Sequence, residues 1–393
     1  MRLLAFKHHQ PSGNCLTRLT GRLINTDTIV KAPQLNLESS SPAAPKICQR
    51  LFRNAADASV SDLHIQPTAN GGGAVAQRLD GVLSPVETLS PEVVPLVIGR
   101  IKFLARLKTY EHSLPQDGRI SQEDAGLKQE LRVSTFPTVT GEKVVVRFFT
   151  DQNIHQLDQL GLDLDTLKTL QTFLTSRRGL LLLTGPSGSG KTTTIYSCLR
   201  YLVETDSRHI ITIEDPVEQM IEGVMQTEVN EARGLTYPRA IRHLLRQDPE
   251  VIVIGEIRDD DTAEIAIRAA LTGHQVIATL HAGSCHGVIN RLRVMVKDHF
   301  ALTAVLDLIV NQRLARRQCG SCSGPGCEAC SNTGYRRRVP VVETLALAET
   351  DRKRLQAGQS IASQPRPSLK EAAARLIELK ATDEREISRI LGS

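Results

Sequence analysis

The segment GLLLLTGPSGSGKTTT (179–194) restricts the fold of this 393-residue chain more than any other part of the sequence. Its first half is wholly apolar, as in a strand that is buried on both faces of a parallel sheet. The second half contains GPSGSGKT, which matches the phosphate-binding pattern GxxxxGK[ST] in full. The sequence therefore predicts a strand, a phosphate-binding loop and a helix in that order.

The residues of this loop indicate its ligand. Glycines let the backbone amides turn toward phosphate oxygens, and the start of the following helix adds partial positive charge. We expect Lys191 to reach the β and γ phosphates of a nucleotide and Thr192 to ligate Mg²⁺. A glycine-rich turn that caps a helix without a ligand is the alternative, which the complete match disfavours. The predicted nucleotide-binding residues are Gly185, Pro186, Ser187, Gly188, Ser189, Gly190, Lys191, Thr192 and Thr193.

Three further apolar runs predict the rest of a parallel sheet. They are HIITIED (209–215), VIVIGE (251–256) and QVIATLH (275–281), with helical patterns between them. In such a sheet the carboxyl ends of the strands lie at the edge where the phosphate loop lies. We therefore expect Glu256 to orient the attacking water, and Glu214 and Asp215 to hold magnesium directly or through its waters. Solvated carboxylates at strand ends are the alternative interpretation.

The patterns along the chain predict two folded domains and a metal-binding segment. Residues 1–45 are expected to be a short N-terminal segment and linker, because QLNLESSSPAAPK (34–46) is rich in Ser, Pro and Ala. The units that follow are an α+β domain over 46–150, a linker over 151–162, the α/β domain over 163–317, a tetracysteine knuckle over 318–340 and a C-terminal helical segment over 341–393. The last helix, TDEREISRIL, is expected to have Thr382 as its capping residue.

Composition excludes several classes of protein. Hydrophobic residues at 40% and charged residues at 23% are ordinary for a globular protein, which disfavours a disordered or fibrous chain. The N-terminus has no apolar stretch like that of a signal peptide, and no run approaches the ~20 apolar residues that span a bilayer, so we expect a cytoplasmic protein. Aromatic residues at 3% and the absence of Trp offer few platforms for base stacking. A nucleic-acid partner is therefore disfavoured.

Cysteines are concentrated near the C-terminal end of the predicted α/β domain. Eight cysteines suit the cytoplasm if they are reduced or bind metal, because disulfides are rare there. Two CxxC pairs, separated by four residues, can provide the tetrahedral thiolates that Zn²⁺ prefers. Metal-free thiols and an iron–sulfur cluster are the alternatives. The predicted zinc ligands are Cys319, Cys322, Cys327 and Cys330, whereas Cys15, Cys48, Cys198 and Cys285 are expected to be isolated thiols.

Several segments together resemble a known family. ITIEDPVE, LLRQDPEVIVIGEIRDDDTAEIAIRAALTGH and TLHAGS are similar to the Asp box, Walker B motif and His box of the type II secretion and type IV pilus ATPases. The resemblance continues through SDLHIQP, RLDGVL, LPQDGRI and LRVSTFPTVTGEKVVVRFF upstream, and through QRLARR and the paired CxxC downstream. It implies a RecA-like P-loop NTPase domain with a parallel sheet, preceded by a smaller α+β (PAS-like) domain. It also implies a homohexameric motor that hydrolyses ATP and drives an inner-membrane platform protein, peripherally associated with that membrane.

The resemblance also assigns roles to individual residues. Glu256 would be the catalytic glutamate, Glu214 and Asp215 the acids of the Asp box, and His274 and His281 the His box. Arginines from the N-terminal domain would approach the nucleotide, and the matching positions are Arg119 and Arg132. Arg242, Arg246 and Arg258 flank the Walker B strand, with ion-paired surface arginines as the alternative. In this chain the two CxxC pairs are joined only by residues 323–326, a shorter linker than the family pattern leads us to expect.

Basic residues around the knuckle leave the partner open. Acidic lipid headgroups, an acidic loop of a protein partner or plain solvent are each compatible with them. A RecA-like DNA-translocating or competence-related ATPase is the alternative motor function, and a nucleotide-binding scaffold without turnover is the alternative to an enzyme. The basic residues are Arg313, Arg316, Arg317, Arg336, Arg337 and Arg338.

Overall fold

The first part of the chain forms an antiparallel sheet with helices on one face. The computed structural model describes residues 43–148 and 155–392. The six strands have the order β3-β2-β1-β6-β5-β4. They are β1 (Asp62–Pro67), β2 (Gly73–Leu79), β3 (Val82–Leu89), β4 (Gln116–Ile120), β5 (Leu131–Thr138) and β6 (Gly141–Phe148). The helices of this part are α1 (Ala43–Asp57), α2 (Val94–Leu104) and the short α3 (Gln122–Ala125).

Alternation along the strands decides which face is covered. Leu63 and Ile65 of β1, and Val144 and Val146 of β6, are fully buried against α1 and α2. The start of α1 corrects the predicted linker, because residues 43–45 are helical rather than irregular. Residues 34–42 of that linker lie outside the described part of the chain.

The opposite face of this sheet carries a row of charged side chains. Asp62 is the cross-strand partner of Arg78 and of Arg147. Arg147 is in turn paired with Arg132, and Arg132 with Arg119. Because directly opposed residues share a face, four arginines and one aspartate cross the sheet side by side.

The second sheet is the predicted α/β sheet. Its seven strands have the order β13-β12-β7-β11-β10-β8-β9, and all neighbouring pairs are parallel except β12 with β13. The strands are β7 (Gly179–Thr184), β8 (Ile210–Glu214), β9 (Val224–Glu228), β10 (Val251–Ile254), β11 (Gln275–Leu280), β12 (Leu306–Gln318) and β13 (Tyr335–Ala346). The helices are α4 (Leu164–Thr175), α5 (Lys191–Thr205), α6 (Tyr237–Leu244), α7 (Asp260–Leu271), α8 (Cys285–Met295), α9 (His299–Val305), α10 (Glu349–Gln356), α11 (Leu369–Glu378) and α12 (Glu384–Leu391).

Helices cover both faces of this sheet. Leu181 and Leu183 of β7 pack with α4 and α5, whereas Leu180 and Leu182 belong to a second core with α6, α7 and α8. All residues of β7, β10 and β11 are buried, as their apolar sequences predict. The predicted fold class is therefore confirmed. No helix in the described parts of the chain is long and apolar enough to cross a bilayer.

The C-terminal third differs from the prediction. The stretch 341–346, expected to be helical, belongs to β13, which pairs with β12 in a long antiparallel ribbon that the sequence reasoning missed. Helix α10 was also missed. The capping residue of α12 is Asp383, whose side chain accepts a hydrogen bond from the Glu386 backbone amide. The assignment of Thr382 as the capping residue is therefore wrong. Thr382 instead donates its hydroxyl to the Arg316 carbonyl.

Candidate nucleotide-binding site and cysteine cluster

The loop between β7 and α5 has the backbone that phosphate binding requires. Gly185 and Gly190 have φ angles of 141° and 88°, a region that side chains disfavour. A Cβ at Gly185 would lie 2.3 Å from the Gln312 carbonyl oxygen, and one at Gly190 would lie 2.7 Å from Gln312 Nε2. Gln312 also donates to the Ser189 carbonyl and accepts from Thr194. The loop is thus pressed onto β12, and both positions require glycine.

Lys191 bends back over this loop. Its ammonium donates to the carbonyls of Gly185 at 2.9 Å and Pro186 at 3.1 Å. Burial lowers the pKa of Lys191; Glu256 opposes this shift and Arg313 adds to it. Loop residues Pro186 to Thr193 line a cleft of about 980 Å³. An ammonium held over glycine-rich backbone at the start of a helix fits the phosphates of a nucleotide.

Four charged side chains meet where the strands of the sheet end. Glu256, just after β10, lies 2.9 Å from His281 Nε2 through Oε1 and accepts from Arg258 Nε at 2.7 Å through Oε2. Arg258 also donates to Asp215 at 3.0 Å. Glu256 and Arg258 belong to the segment between β10 and α7, Asp215 follows β8 and His281 follows β11. All four line the cleft. The structure therefore brings Glu256, His281 and Asp215 together beside Lys191.

Glu214 lines the same cleft, but its carboxylate is already occupied. It accepts from Tyr196 at 2.5 Å, from Thr212 at 2.6 Å and from Gln226 at 3.1 Å. Burial and the Glu214 carboxylate raise the pKa of the Tyr196 hydroxyl. Glu214 thus anchors α5 to the end of β8. Asp215, whose side chain is 36% exposed, is the member of the pair that can offer oxygen to a metal.

The two histidines of the predicted His box lie at opposite ends of β11. His281 follows the strand and approaches the Gly185 carbonyl at 3.2 Å through Nδ1. His274 precedes the strand and contacts the Ala269 carbonyl at 2.8 Å. Only His281 is among the residues that line the cleft. His274 therefore closes the end of α7, away from the phosphate loop.

The N-terminal sheet brings different arginines to the cleft from those expected. Arg119 lies 3.4 Å from Glu130 in an ion pair, and neither Arg119 nor Arg132 lines the cleft. Arg147 and Arg78 do line it, and both approach Asp62, at 2.9 and 3.5 Å. The alternation in EKVVVRFF was the signal for Arg147, since it puts two valines in the core and the arginine on the other face.

Other arginines divide in the same way. Of the three that flank the Walker B strand, Arg258 lines the cleft and Arg242 and Arg246 do not. Desolvation and the charge of Glu214 raise the pKa of Glu218, while Arg147 and Arg132 lower it. Arg132 therefore lies close enough to Glu218 to favour its charged form, although it does not line the cleft.

The four cysteines form a cluster at the end of the β12–β13 ribbon. Their sulfur atoms all lie within 4.8 Å of one another. Cys319 and Cys327 are 3.8 Å apart, Cys322 and Cys330 are 3.8 Å apart, and Cys327 and Cys330 are 3.7 Å apart. Tetrahedral coordination with Zn–S bonds of about 2.3 Å separates sulfurs by about 3.8 Å, so the cluster fits zinc. Cys48, Cys198 and Cys285 are buried elsewhere, and Cys15 lies outside the described residues.

The basic residues near this cluster are not one continuous surface. Arg316 binds Glu386 and lies over the Tyr335 ring, and Arg313 donates to Asn311 and to the Gly283 carbonyl. Arg338 lines the nucleotide cleft. Arg317, Arg336 and Arg337 are exposed. Of the six arginines, Arg313 and Arg316 are half-buried in contacts within the structure, and Arg338 is exposed along the cleft.

Comparison with known proteins identifies the family. The model of the type II/IV secretion system proteins matches residues 36–389. The type IV pilus assembly ATPase PilB of Thermus thermophilus is 38% identical over 352 residues, which are 82% of this chain and 39% of the relative. The type II secretion system protein E of Aeromonas hydrophila is 37% identical over 334 residues, 78% of this chain and 66% of the relative. The chain thus spans less than two thirds of the length of these relatives.

A solved structure supports the fold. The pilus retraction motor PilT, crystallised with bound ADP, superposes with a TM-score of 0.61 at 26% identity, over 87% of this chain and 96% of that one. The sheet order, the phosphate loop and the sequence match are mutually consistent. The chain therefore belongs to the type II/IV secretion system protein family.

Proposed function

We propose that this protein is a motor ATPase that hydrolyses ATP to power the assembly of a type II secretion pseudopilus or a type IV pilus. The observation that carries the proposal is the position of Glu256, which lines the cleft of the phosphate loop and is held by Arg258 and His281. The names of the relatives, a pilus assembly ATPase and a secretion system protein E, support the choice of machine.

The residues of the cleft divide the work of hydrolysis. The loop amides and Lys191 bind the phosphates, and Glu256 orients a water and accepts its proton. His281 lies between Glu256 and the loop, where it can respond to the terminal phosphate. When bound, Mg²⁺ neutralises charge on the β and γ oxygens, and Thr192 and Asp215 are the residues available to hold it.

Arg147 can link hydrolysis to movement. It belongs to the N-terminal sheet, whereas the phosphate loop belongs to the second sheet, and both line one cleft. A guanidinium that stabilises the transferred phosphoryl from another sheet makes turnover depend on the relative position of the two sheets. This dependence is what a motor needs to convert ATP cleavage into displacement.

The assembly that we propose is a homohexamer at the cytoplasmic side of the inner membrane, with a platform protein as its partner and zinc in the cysteine cluster. Family membership supports the oligomer and the platform protein. The sulfur geometry supports the zinc. A DNA motor is less well supported, because Arg313 and Arg316 are held by contacts within the structure and Arg338 lines the nucleotide cleft.

The variant Glu256→Gln tests the enzyme. It keeps the shape of the side chain but removes the base, so we expect ATP turnover to fall by about 10²-fold or more while nucleotide affinity is retained. Glu228→Gln, an exposed glutamate of β9, is the matched control. Phosphate release and equilibrium binding of a fluorescent nucleotide are measured on all three proteins. Turnover by Glu256→Gln at the wild-type rate would refute the assignment.

Light scattering during size-exclusion chromatography tests the assembly. We expect a hexamer that is strengthened by a non-hydrolysable ATP analogue, and metal analysis of the same fractions should give zinc in proportion to protein. ATPase stimulation by a platform protein or by acidic vesicles is expected, and stimulation by DNA instead would favour the alternative motor.

A further inference from the structure

Helix α12 reaches the nucleotide cleft with its C-terminal end. Arg389 and Ile390 line the cleft together with Leu314 and Arg338. The phosphate loop and the charged residues beside it come from β7, β8, β10 and β11 and the segments that follow them, so phosphate binding does not by itself require a helix here. The wall that α12 provides is therefore available to another part of the nucleotide.

The position of this wall along the loop indicates which part it faces. His281 and Glu256 lie at the beginning of the loop, where His281 approaches the Gly185 carbonyl. Leu314 lies at the other end, 3.3 Å from where a Cβ of Gly190 would stand. Attack occurs on the terminal phosphate, beside Glu256, so the ribose and base extend from the opposite end of the loop. That end is the one closed by Leu314 and α12.

Helix α12 is held rigidly at this position. Glu386 is fully buried and accepts from the Arg316 backbone amide at 2.8 Å and from the Arg316 guanidinium at 2.8 and 2.9 Å. The same carboxylate accepts from Nε and Nη2 of Arg389 at 2.8 and 2.5 Å. At the start of the helix, Asp383 accepts from the Tyr335 hydroxyl at 2.7 Å. The first turn of α12 is thus fastened to the β12–β13 ribbon, and Arg389 is fastened to that turn through Glu386.

The side chains on this wall have the chemistry of a base-binding surface. Ile390 and Leu314 are half-buried apolar side chains that can lie against an aromatic ring system. Arg389 is 40% exposed and uses Nε and Nη2 for Glu386, which leaves Nη1 directed away from that pair. A guanidinium with fixed orientation can stack on a purine or donate to its ring nitrogens.

We propose that α12 is the base-binding wall of the nucleotide site, with Arg389 and Ile390 in contact with the purine ring and Glu386 as the residue that positions Arg389. This inference rests on nucleotide binding at the phosphate loop. It adds a contact with the purine that the phosphate loop does not supply. Affinity for the nucleoside part then depends on the last described helix of the chain.

The test separates the base from the phosphates. Dissociation constants are measured for a non-hydrolysable ATP analogue and for inorganic tripolyphosphate, which has the phosphates but no nucleoside. We expect Arg389→Ala to raise the dissociation constant of the ATP analogue by roughly tenfold, the size of one lost charge-assisted contact. The dissociation constant of tripolyphosphate should stay within about twofold of the wild-type value. Arg385→Ala, an exposed arginine of the same helix, is the matched control and should change neither constant.

Two further variants test the details. Ile390→Ser should weaken binding of the ATP analogue but not of tripolyphosphate. Glu386→Gln should have the same effect, because it leaves the Arg389 side chain in place but no longer fixes its orientation. An equal loss of affinity for both ligands in Arg389→Ala, or an unchanged affinity for the ATP analogue, would overturn the inference. Failure of the wild-type protein to bind either ligand would instead contradict nucleotide binding at the loop, so the two failures are distinguishable.

Discussion

Removing the charge of Glu386 should destabilise the protein in a strongly pH-dependent way. The carboxylate is fully buried. Desolvation opposes ionisation, but hydrogen bonds from Arg389 and Arg316 outweigh it and lower the pKa of Glu386 from 4.5 to about 2. A shift of this size corresponds to about 3 kcal/mol of stability near neutral pH. Because the folded pKa is the lower one, that stability is present above about pH 4.5 and is lost as the pH falls toward about 2.

The assay compares wild type with Glu386→Gln across this range. The chain has no Trp, so unfolding in urea is followed by circular dichroism. Ionisation of Glu386 should contribute about 3 kcal/mol to the difference in unfolding free energy between the two proteins at about pH 7. At about pH 3.5 this contribution should shrink to about 2 kcal/mol. Glu384→Gln, exposed on the same helix, corrects for every other titrating group. A difference that stays constant between the two pH values would refute the assignment of the ionised carboxylate as the source of stability.

Two further outcomes follow from the site. Arg147→Ala should lower ATP turnover by roughly 10³-fold with little change in nucleotide affinity, as expected for a guanidinium that acts on the transferred phosphoryl. Arg53→Ala, on the exposed face of α1, is the control and should behave as wild type. A larger loss of turnover in Arg119→Ala than in Arg147→Ala would contradict the geometry. Removal of metal with a strong zinc chelator should release about one zinc per chain and lower the midpoint of thermal unfolding. A Cys330→Ser variant should purify with less zinc. An unchanged midpoint after complete zinc loss would show that the cluster does not support the fold.

Four strands of the parallel sheet, β7, β8, β10 and β11, could be predicted because they are nearly pure apolar runs. GLLLLT, VIVI and QVIATL are buried on both faces, and no other environment accepts such sequences as readily. The phosphate loop was equally predictable, because its glycines and lysine are required by backbone geometry and charge. Local sequence was sufficient to predict a feature wherever the residues of one segment determine its conformation without contacts from distant parts of the chain.

Other features depend on distant parts of the chain. The ribbon of β12 and β13 escaped prediction because its arginines and Gln312 break the alternation that identifies strands. Gln312 finds its partners in the phosphate loop and α5, and Arg316 finds its partner in α12. Glu386 in TDEREISRIL has the sequence context of a solvent-facing helix residue, yet Arg316 lies 70 positions away in the chain. Arg147 could be chosen over Arg119 only after the strand register was known.

The β12–β13 ribbon limits where this chain can accept insertions. One strand presents Gln312 to the phosphate loop and the other presents Arg338 near the Gly188 carbonyl. A single added residue within either strand would turn its later side chains to the other face and detach α12 from the cleft. Length variation is tolerable only in the hairpin tip, between the two CxxC pairs, where the extra chain would extend away from both strands. The length of this tip can therefore change without altering the nucleotide site.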